Sequence, residues 1–121
     1  MTGPTNFNWA PFDAKLNAAA SRGHQFFARF YLEWPGRKTG VPQYLIDAEL
    51  TMRRWTNTNT QPHPPAIDHT PDYEDPRLRG ALTSFIHALG RRYDGDPRLG
   101  FVGLGLLGTW GEWHKRSSKL S

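Results

Sequence analysis

The stretch that most constrains the fold of this chain is an apolar run interrupted by glycines, FVGLGLLGTWGEWH, at residues 101–114. Its apolar content predicts a buried strand that begins near Phe101. The run ends in one carboxylate, Glu112, between the indoles of Trp110 and Trp113. A carboxyl group among aromatic rings is partly desolvated and keeps its proton more readily, so we expect Glu112 to be suited to general acid catalysis.

The rest of the chain alternates between helical and strand patterns. Pro11 and Gly23 are placed to begin and cap a helix over about residues 11–22. HQFFARFYLEW at 24–34 predicts a strand that is covered on both faces. Asp75 as N-cap and Pro76 as first helical residue predict a helix to about Tyr93. Its apolar stripe has three- and four-residue spacing: Leu78, Ala81, Leu82, Phe85, Ile86 and Leu89.

Residues 36–71 give no single pattern. The segment 41–55 fits either a short helix or a strand, and TNTNTQPHPP at 56–65 predicts an irregular segment. The order of helix, strand, long connection, helix and strand predicts α/β architecture with parallel strands. At 121 residues the chain is well below the ~250 residues of a complete (β/α)8 barrel, so we expect a partial TIM-like barrel, a fragment of a larger one.

Three segments are predicted: a polar leader at 1–10, the partial barrel domain at 11–114 and a basic flexible tail at 115–121. The tail has no helix pattern, which would leave an open sheet edge that favours self-association. Period-two alternation in the first strand places Phe26, Ala28, Phe30 and Leu32 toward helices. It places Phe27, Arg29, Tyr31 and Glu33 toward a barrel interior. A bulge at Gly108 or Gly111 would be needed to turn Glu112 inward as well.

The candidate substrate-binding residues surround that inner rim: Arg29, Glu33, Trp34, Trp110, Trp113 and His114. An indole can serve as a flat platform for a sugar ring, or it can simply close the core. We favour the core for Trp34 and Trp55, and the platform for Trp110 and Trp113. Arg29 could orient a catalytic carboxylate or form a purely structural ion pair with Glu112. His114 could bond Glu112 or a sugar hydroxyl, or it could pack in a loop.

Composition excludes several classes of protein. The absence of cysteine excludes disulfides and thiolate metal sites. The net charge of +4 is scattered along the chain, so we expect no nucleic-acid partner. The longest apolar run is too short to span a bilayer, and the first residues do not form a signal peptide, so localisation stays undetermined. The acidic and histidine residues at 63–75 match no ligand spacing, so no metal and no cofactor is predicted.

The tract PDYEDPRLRGALTSFIHALGRRYDGDPRLGFVGLGLLGTWGEWH and, more loosely, FFARFYLEWPG resemble the N-terminal part of glycoside-hydrolase-like (β/α)8-barrel proteins, which include beta-galactosidase-like and uncharacterised bacterial relatives. In retaining barrel glycosidases the acid/base is a Glu that usually follows Asn. The resemblance implies that role for Glu112, although Gly111 replaces the Asn. The expected function is part of a glycoside hydrolase that uses carboxylate acid/base catalysis, with Glu33 as the candidate second carboxylate. The alternative is a non-catalytic carbohydrate-binding or scaffold domain of the same fold.

Overall fold

The computed structural model describes residues 1–58, 64 and 66–113. Two two-stranded sheets are present in this part of the chain: β1 is parallel to β4, and β2 is antiparallel to β3. The architecture is therefore mixed α/β, as predicted, and the described strands do not close into a barrel. The elements in chain order are α1 (Ala10–Ala20), β1 (Phe26–Glu33), α2 (Gln43–Asp47), β2 (Met52–Asn57), β3 (Ala66–Pro71), α3 (Pro76–Tyr93) and β4 (Leu99–Thr109).

The two long helices form where the sequence predicts them. Asp75 caps α3 by accepting a hydrogen bond from the backbone N–H of Arg77 at 2.8 Å. Leu78 is fully buried, but Ile86 is 52% exposed, so the apolar stripe of α3 is wider than the face that the described residues cover. Helix α1 ends two residues earlier than predicted, and Gly23, with φ of +73°, closes its C-terminal end as expected.

The alternation predicted for β1 is confirmed on its helical face. Phe26 and Phe30 pack against a core cluster formed by Leu16, Leu89 and Tyr93, which belong to α1 and α3. On the opposite face Phe27 is 58% exposed. That face is therefore open around Phe27 and is covered only near Glu33, by Thr70 of β3 and Tyr73. The expectation that the face lines a barrel interior is not met by the described residues.

The connection between β1 and α3 contains more structure than the sequence pattern indicates. Residues 41–55 hold both alternatives, since α2 is followed by β2. Strand β2 extends to Asn57, so the predicted irregular tract is wrong at its first two residues; residues 59–63 and 65 of that tract lie outside the described chain. The sequence shows no regular alternation of apolar residues for the β2–β3 hairpin, because its inward positions include the polar residues Asn57, Asp68 and Thr70.

Strand β4 is bulged along its whole pairing with β1. Eight residues of β1 face eleven of β4, and the register shifts at three places. One shift lies between the pairs Tyr31–Leu106 and Glu33–Thr109, across Gly108, whose φ is +80°. The bulge that an inward-facing Glu112 would need is present at Gly108, but the Glu112 side chain that follows it is 52% exposed.

The segment at 1–10 is anchored to the core rather than separate from it. The ring of Trp9 stacks on Phe85 at 5.9 Å between centroids and meets Tyr93 edge-on at 5.5 Å. The tail predicted at 115–121 lies outside the described residues. None of the helices in the described ranges is long and apolar enough to cross a bilayer.

Candidate functional site

Arg29, in the middle of β1, meets Glu112, which lies on the turn that follows β4. Nη2 of Arg29 lies 3.6 Å from Oε1 of Glu112, and it donates a hydrogen bond to the carbonyl oxygen of Trp110. The side chains of Arg29 and Glu112 are 37% and 52% exposed. The ion pair foreseen between them is confirmed. The desolvated environment expected for Glu112 is wrong. The turn at 110–113 folds back onto β4, with the backbone N–H of Trp113 donating to the carbonyl oxygen of Leu107 at 3.0 Å, but it leaves the Glu112 side chain half exposed to water.

The carboxylate that the fold does bury is Glu33, which is 4% exposed. Its Oε1 accepts a hydrogen bond from the Tyr73 hydroxyl at 2.7 Å, and its Oε2 accepts one from the Thr70 hydroxyl at 2.9 Å. Each hydroxyl is itself oriented by a donor: the indole N–H of Trp55 for Thr70, and the backbone N–H of Gly108 for Tyr73. Both hydroxyl protons therefore point at Glu33, which is the arrangement that a carboxylate anion requires.

This network connects three parts of the fold around the end of β4. Tyr73 precedes α3, Thr70 belongs to β3, and Gly108 sits at the bulge of β4. Burial and the Glu33 carboxylate raise the pKa of the Tyr73 hydroxyl well above its ordinary value. The neutral phenol is therefore held as a hydrogen-bond donor, and Glu33 joins the strand that carries Glu112 to the rest of the domain.

A second buried carboxylate, Asp68, lies near Glu33 in the same cleft and is 8% exposed. Its Oδ1 accepts a hydrogen bond from the backbone N–H of Gly36 at 2.9 Å, and its Oδ2 accepts one from the side-chain amide of Asn57 at 2.8 Å. Asp68 therefore joins the hairpin to the turn that follows β1. Both of its oxygens have partners within the chain, which is typical of a structural carboxylate.

Glu33 and Asp68 line a cleft of about 300 Å³ between the end of β1 and the β2–β3 hairpin. Trp34 forms part of its wall, and the Arg37 guanidinium lies over the Trp34 ring at 5.1 Å from the centroid. The Tyr31 ring also contacts Trp34, at 4.9 Å between centroids. The Trp34 ring is therefore in contact with both a guanidinium and a tyrosine ring, and the side chain is half-buried rather than fully in the core.

The other predicted site residues are dispersed. Trp55 is buried and bonded to Thr70, which confirms its expected core role. The backbone N–H of Trp110 donates to the carbonyl oxygen of Glu33 at 3.0 Å. Trp113 is 62% exposed and lines an apolar groove of about 590 Å³ between α3 and β4, separate from the Glu33 cleft. The prediction for His114 falls outside the described residues.

Two of the acidic residues in the range 68–75 have structural roles. Asp75 caps α3 and Asp68 ties the hairpin to β1, so neither offers a free carboxylate. Within the described ranges no three His, Asp or Glu side chains cluster as metal ligands. Sequence reasoning missed the roles of Asp68, Thr70 and Tyr73. The period-two spacing of Asp68 and Thr70 is the one signal that could have placed them on a common face.

We compared the chain with protein-family models, with curated proteins and with solved structures, and none of the three comparisons gave a match.

Proposed function

We propose that this chain forms the carbohydrate-binding rim of a glycoside-hydrolase-type (β/α) barrel and contributes one catalytic carboxylate, Glu112. The observation that carries the proposal is the ion pair of Arg29 with Glu112, a carboxylate that follows the carboxyl end of the parallel strand β4. In barrels of parallel strands this end is where loops leave the sheet and where catalytic side chains collect. An accessible carboxylate with a fixed cationic partner is available there to a ligand.

The exposure of Glu112 changes the chemical role that fits it. Its side chain is 52% exposed, so it lacks the apolar enclosure on which the proton-donor role was based. An accessible carboxylate is suited to accept a proton from water or to attack the anomeric carbon. We therefore assign Glu112 the part of general base or nucleophile, in place of the proton donor expected from the sequence.

Hydrolysis needs a second carboxyl group, about 5 to 5.5 Å from the first for retention or roughly 6.5 to 9.5 Å for inversion. Glu33 was the candidate, but both of its oxygens are bonded to hydroxyl groups and its side chain is buried. Asp68 is engaged in the same way. The proton donor in this proposal therefore comes from outside the described residues, and substrates whose leaving group must be protonated require it.

Two features support a barrel larger than the described strands. The chain passes through α3 into β4, which lies parallel to β1, as in a β–α–β crossover. The apolar groove beside α3 exposes Ile86, Val102 and Trp113. Exposed apolar surface of this kind is typical of a face that another element or another chain covers. The open edge of the parallel pair also supports self-association as a proposal.

A non-catalytic carbohydrate-binding domain is the second candidate. The accessibility of Glu112 and the internal engagement of both buried carboxylates favour it, since a binding site needs no proton donor. In that case Arg29 and Glu112 would bond sugar hydroxyls directly, as charged groups on a rim commonly do.

The substitution Glu112→Gln separates the two functions. Its matched control is Glu74→Gln, because Glu74 is also an exposed carboxylate paired with an arginine, Arg79. Hydrolysis would be measured on dinitrophenyl glycosides, because their leaving group departs without a proton donor and the reaction then tests Glu112 alone. Binding of the parent sugars would be measured for both variants as well. Loss of hydrolysis in Glu112→Gln with binding retained supports the catalytic role. Sugar binding without hydrolysis, weakened in Glu112→Gln alone, supports the binding domain and overturns the catalytic one. Absence of both activities refutes both.

A further inference from the structure

We propose that the cleft between β1 and the β2–β3 hairpin binds a pyranose carrying an anionic substituent, with Arg37 and Lys38 as the residues that recognise the anion. The inference rests on the proposed carbohydrate function and narrows its substrate class. It concerns a part of the rim distinct from the Arg29–Glu112 pair.

The cleft has the size and the composition of a one-sugar subsite. Its volume is about 300 Å³, at the lower end of the range for small-ligand sites. Trp34 supplies an aromatic wall, and His69 adds a ring nitrogen that can donate or accept a hydrogen bond. Both are typical partners for the mixed apolar and hydroxylated surface of a pyranose.

The acidic residues of the cleft are buried, whereas its basic residues are exposed. Glu33 and Asp68 are buried at its base, and all four of their oxygens accept hydrogen bonds from the chain's own donors. Arg37 and Lys38 are exposed at its mouth. Neither cation forms an ion pair with an acidic residue of the described chain, so both are available to an incoming anion.

Arg37 is also held in place before any ligand arrives. Its guanidinium lies over the Trp34 ring, and its backbone N–H donates to the carbonyl oxygen of Trp34 at 2.9 Å. A guanidinium on an aromatic face keeps its in-plane N–H groups free. Those groups match a carboxylate or a sulfate in a two-bond arrangement, so little ordering cost remains to be met on binding.

The test compares one ring with and without the charge. Probes are methyl β-glucuronide, a 6-sulfated methyl β-glucoside, neutral methyl β-glucoside and inorganic sulfate. Affinity is measured by calorimetry on the full chain and on Arg37→Ala, Lys38→Ala and Arg22→Ala. Arg22 is an exposed arginine beyond α1, near the amino end of β1, so its loss changes net charge equally without touching the cleft.

We expect a charged sugar to bind more tightly than the neutral one, and we expect Arg37→Ala to weaken that binding about tenfold or more. Lys38→Ala should weaken it to a smaller extent, and Arg22→Ala should change it less than about twofold. The charged sugar that binds more tightly shows whether the cleft recognises a carboxylate or a sulfate group.

Two outcomes overturn the inference and leave the proposed function standing. In the first, the neutral and the charged sugars bind with equal affinity. In the second, inorganic sulfate binds as tightly as the charged sugars, and Arg22→Ala weakens this binding as much as Arg37→Ala does. In both cases carbohydrate binding that depends on Glu112 would still stand. Failure of every sugar to bind refutes the proposed function and this inference together.

Discussion

Replacing Tyr73 by phenylalanine should destabilise the protein strongly although it removes a single oxygen. The Tyr73 hydroxyl bonds a buried carboxylate oxygen of Glu33 at 2.7 Å and accepts the backbone N–H of Gly108 at 3.0 Å. Losing a hydrogen bond to a charged group costs about 2 kcal/mol, and leaving the Gly108 N–H unpaired costs about 1 kcal/mol more. We expect a loss of about 3 kcal/mol in the free energy of unfolding.

Urea denaturation followed by tryptophan fluorescence and circular dichroism measures this change. For a chain of this size about 3 kcal/mol corresponds to a melting temperature lower by roughly 12 °C. The control is Tyr44→Phe, because the Tyr44 ring packs against the core while its hydroxyl makes no hydrogen bond within the described chain. That variant should stay within about 0.5 kcal/mol of the wild type. A Tyr73→Phe variant that also stays within this range would refute the reasoning about the Glu33 network.

The same residue predicts a dependence on alkaline pH. Burial, the hydrogen bond to Glu33 and the charge of Glu33 raise the pKa of Tyr73 in the folded protein. A raised pKa contributes stability that is fully present below the unfolded pKa of about 10 and is lost as pH rises above it. The difference in unfolding free energy between wild type and Tyr73→Phe should therefore shrink from pH 8 to pH 11. A constant difference would contradict the assignment of the raised pKa to this hydroxyl.

Two further predictions use contrasting sites. Gly80→Ala in the second turn of α3, where an added methyl group has no neighbour within 4 Å, should stabilise the protein by about 1 kcal/mol. Gly105→Ala should destabilise it, because a methyl group there would lie 2.3 Å from the Phe30 carbonyl oxygen. Equal melting temperatures for the two variants would contradict this prediction. The Arg98 side chain and its backbone N–H lower the pKa of Asp96 to about 2, so its contribution is present above about pH 4 and lost as pH falls to 2. Asp96→Asn should flatten this acid limb in urea titrations.

The sequence by itself determined the elements whose signals are local. Asp75 and Pro76 specify the start of α3 through a side-chain cap and a fixed φ, and these work regardless of what packs against the helix. The two faces of β1 follow from period-two alternation, and the bulge at Gly108 follows from a glycine that can adopt positive φ. The ion pair of Arg29 and Glu112 was foreseen as one of two alternatives.

Only the tertiary structure decided which carboxylate is buried. Glu33 and Glu112 both come after apolar strand residues, so the local sequence predicts a buried carboxylate equally at either position. The difference arises because Thr70 and Tyr73, 37 and 40 residues away from Glu33, close over it, whereas the Glu112 side chain meets Arg29 and stays 52% exposed. Desolvation depends on which distant segments meet a side chain, and a local pattern carries no information about that.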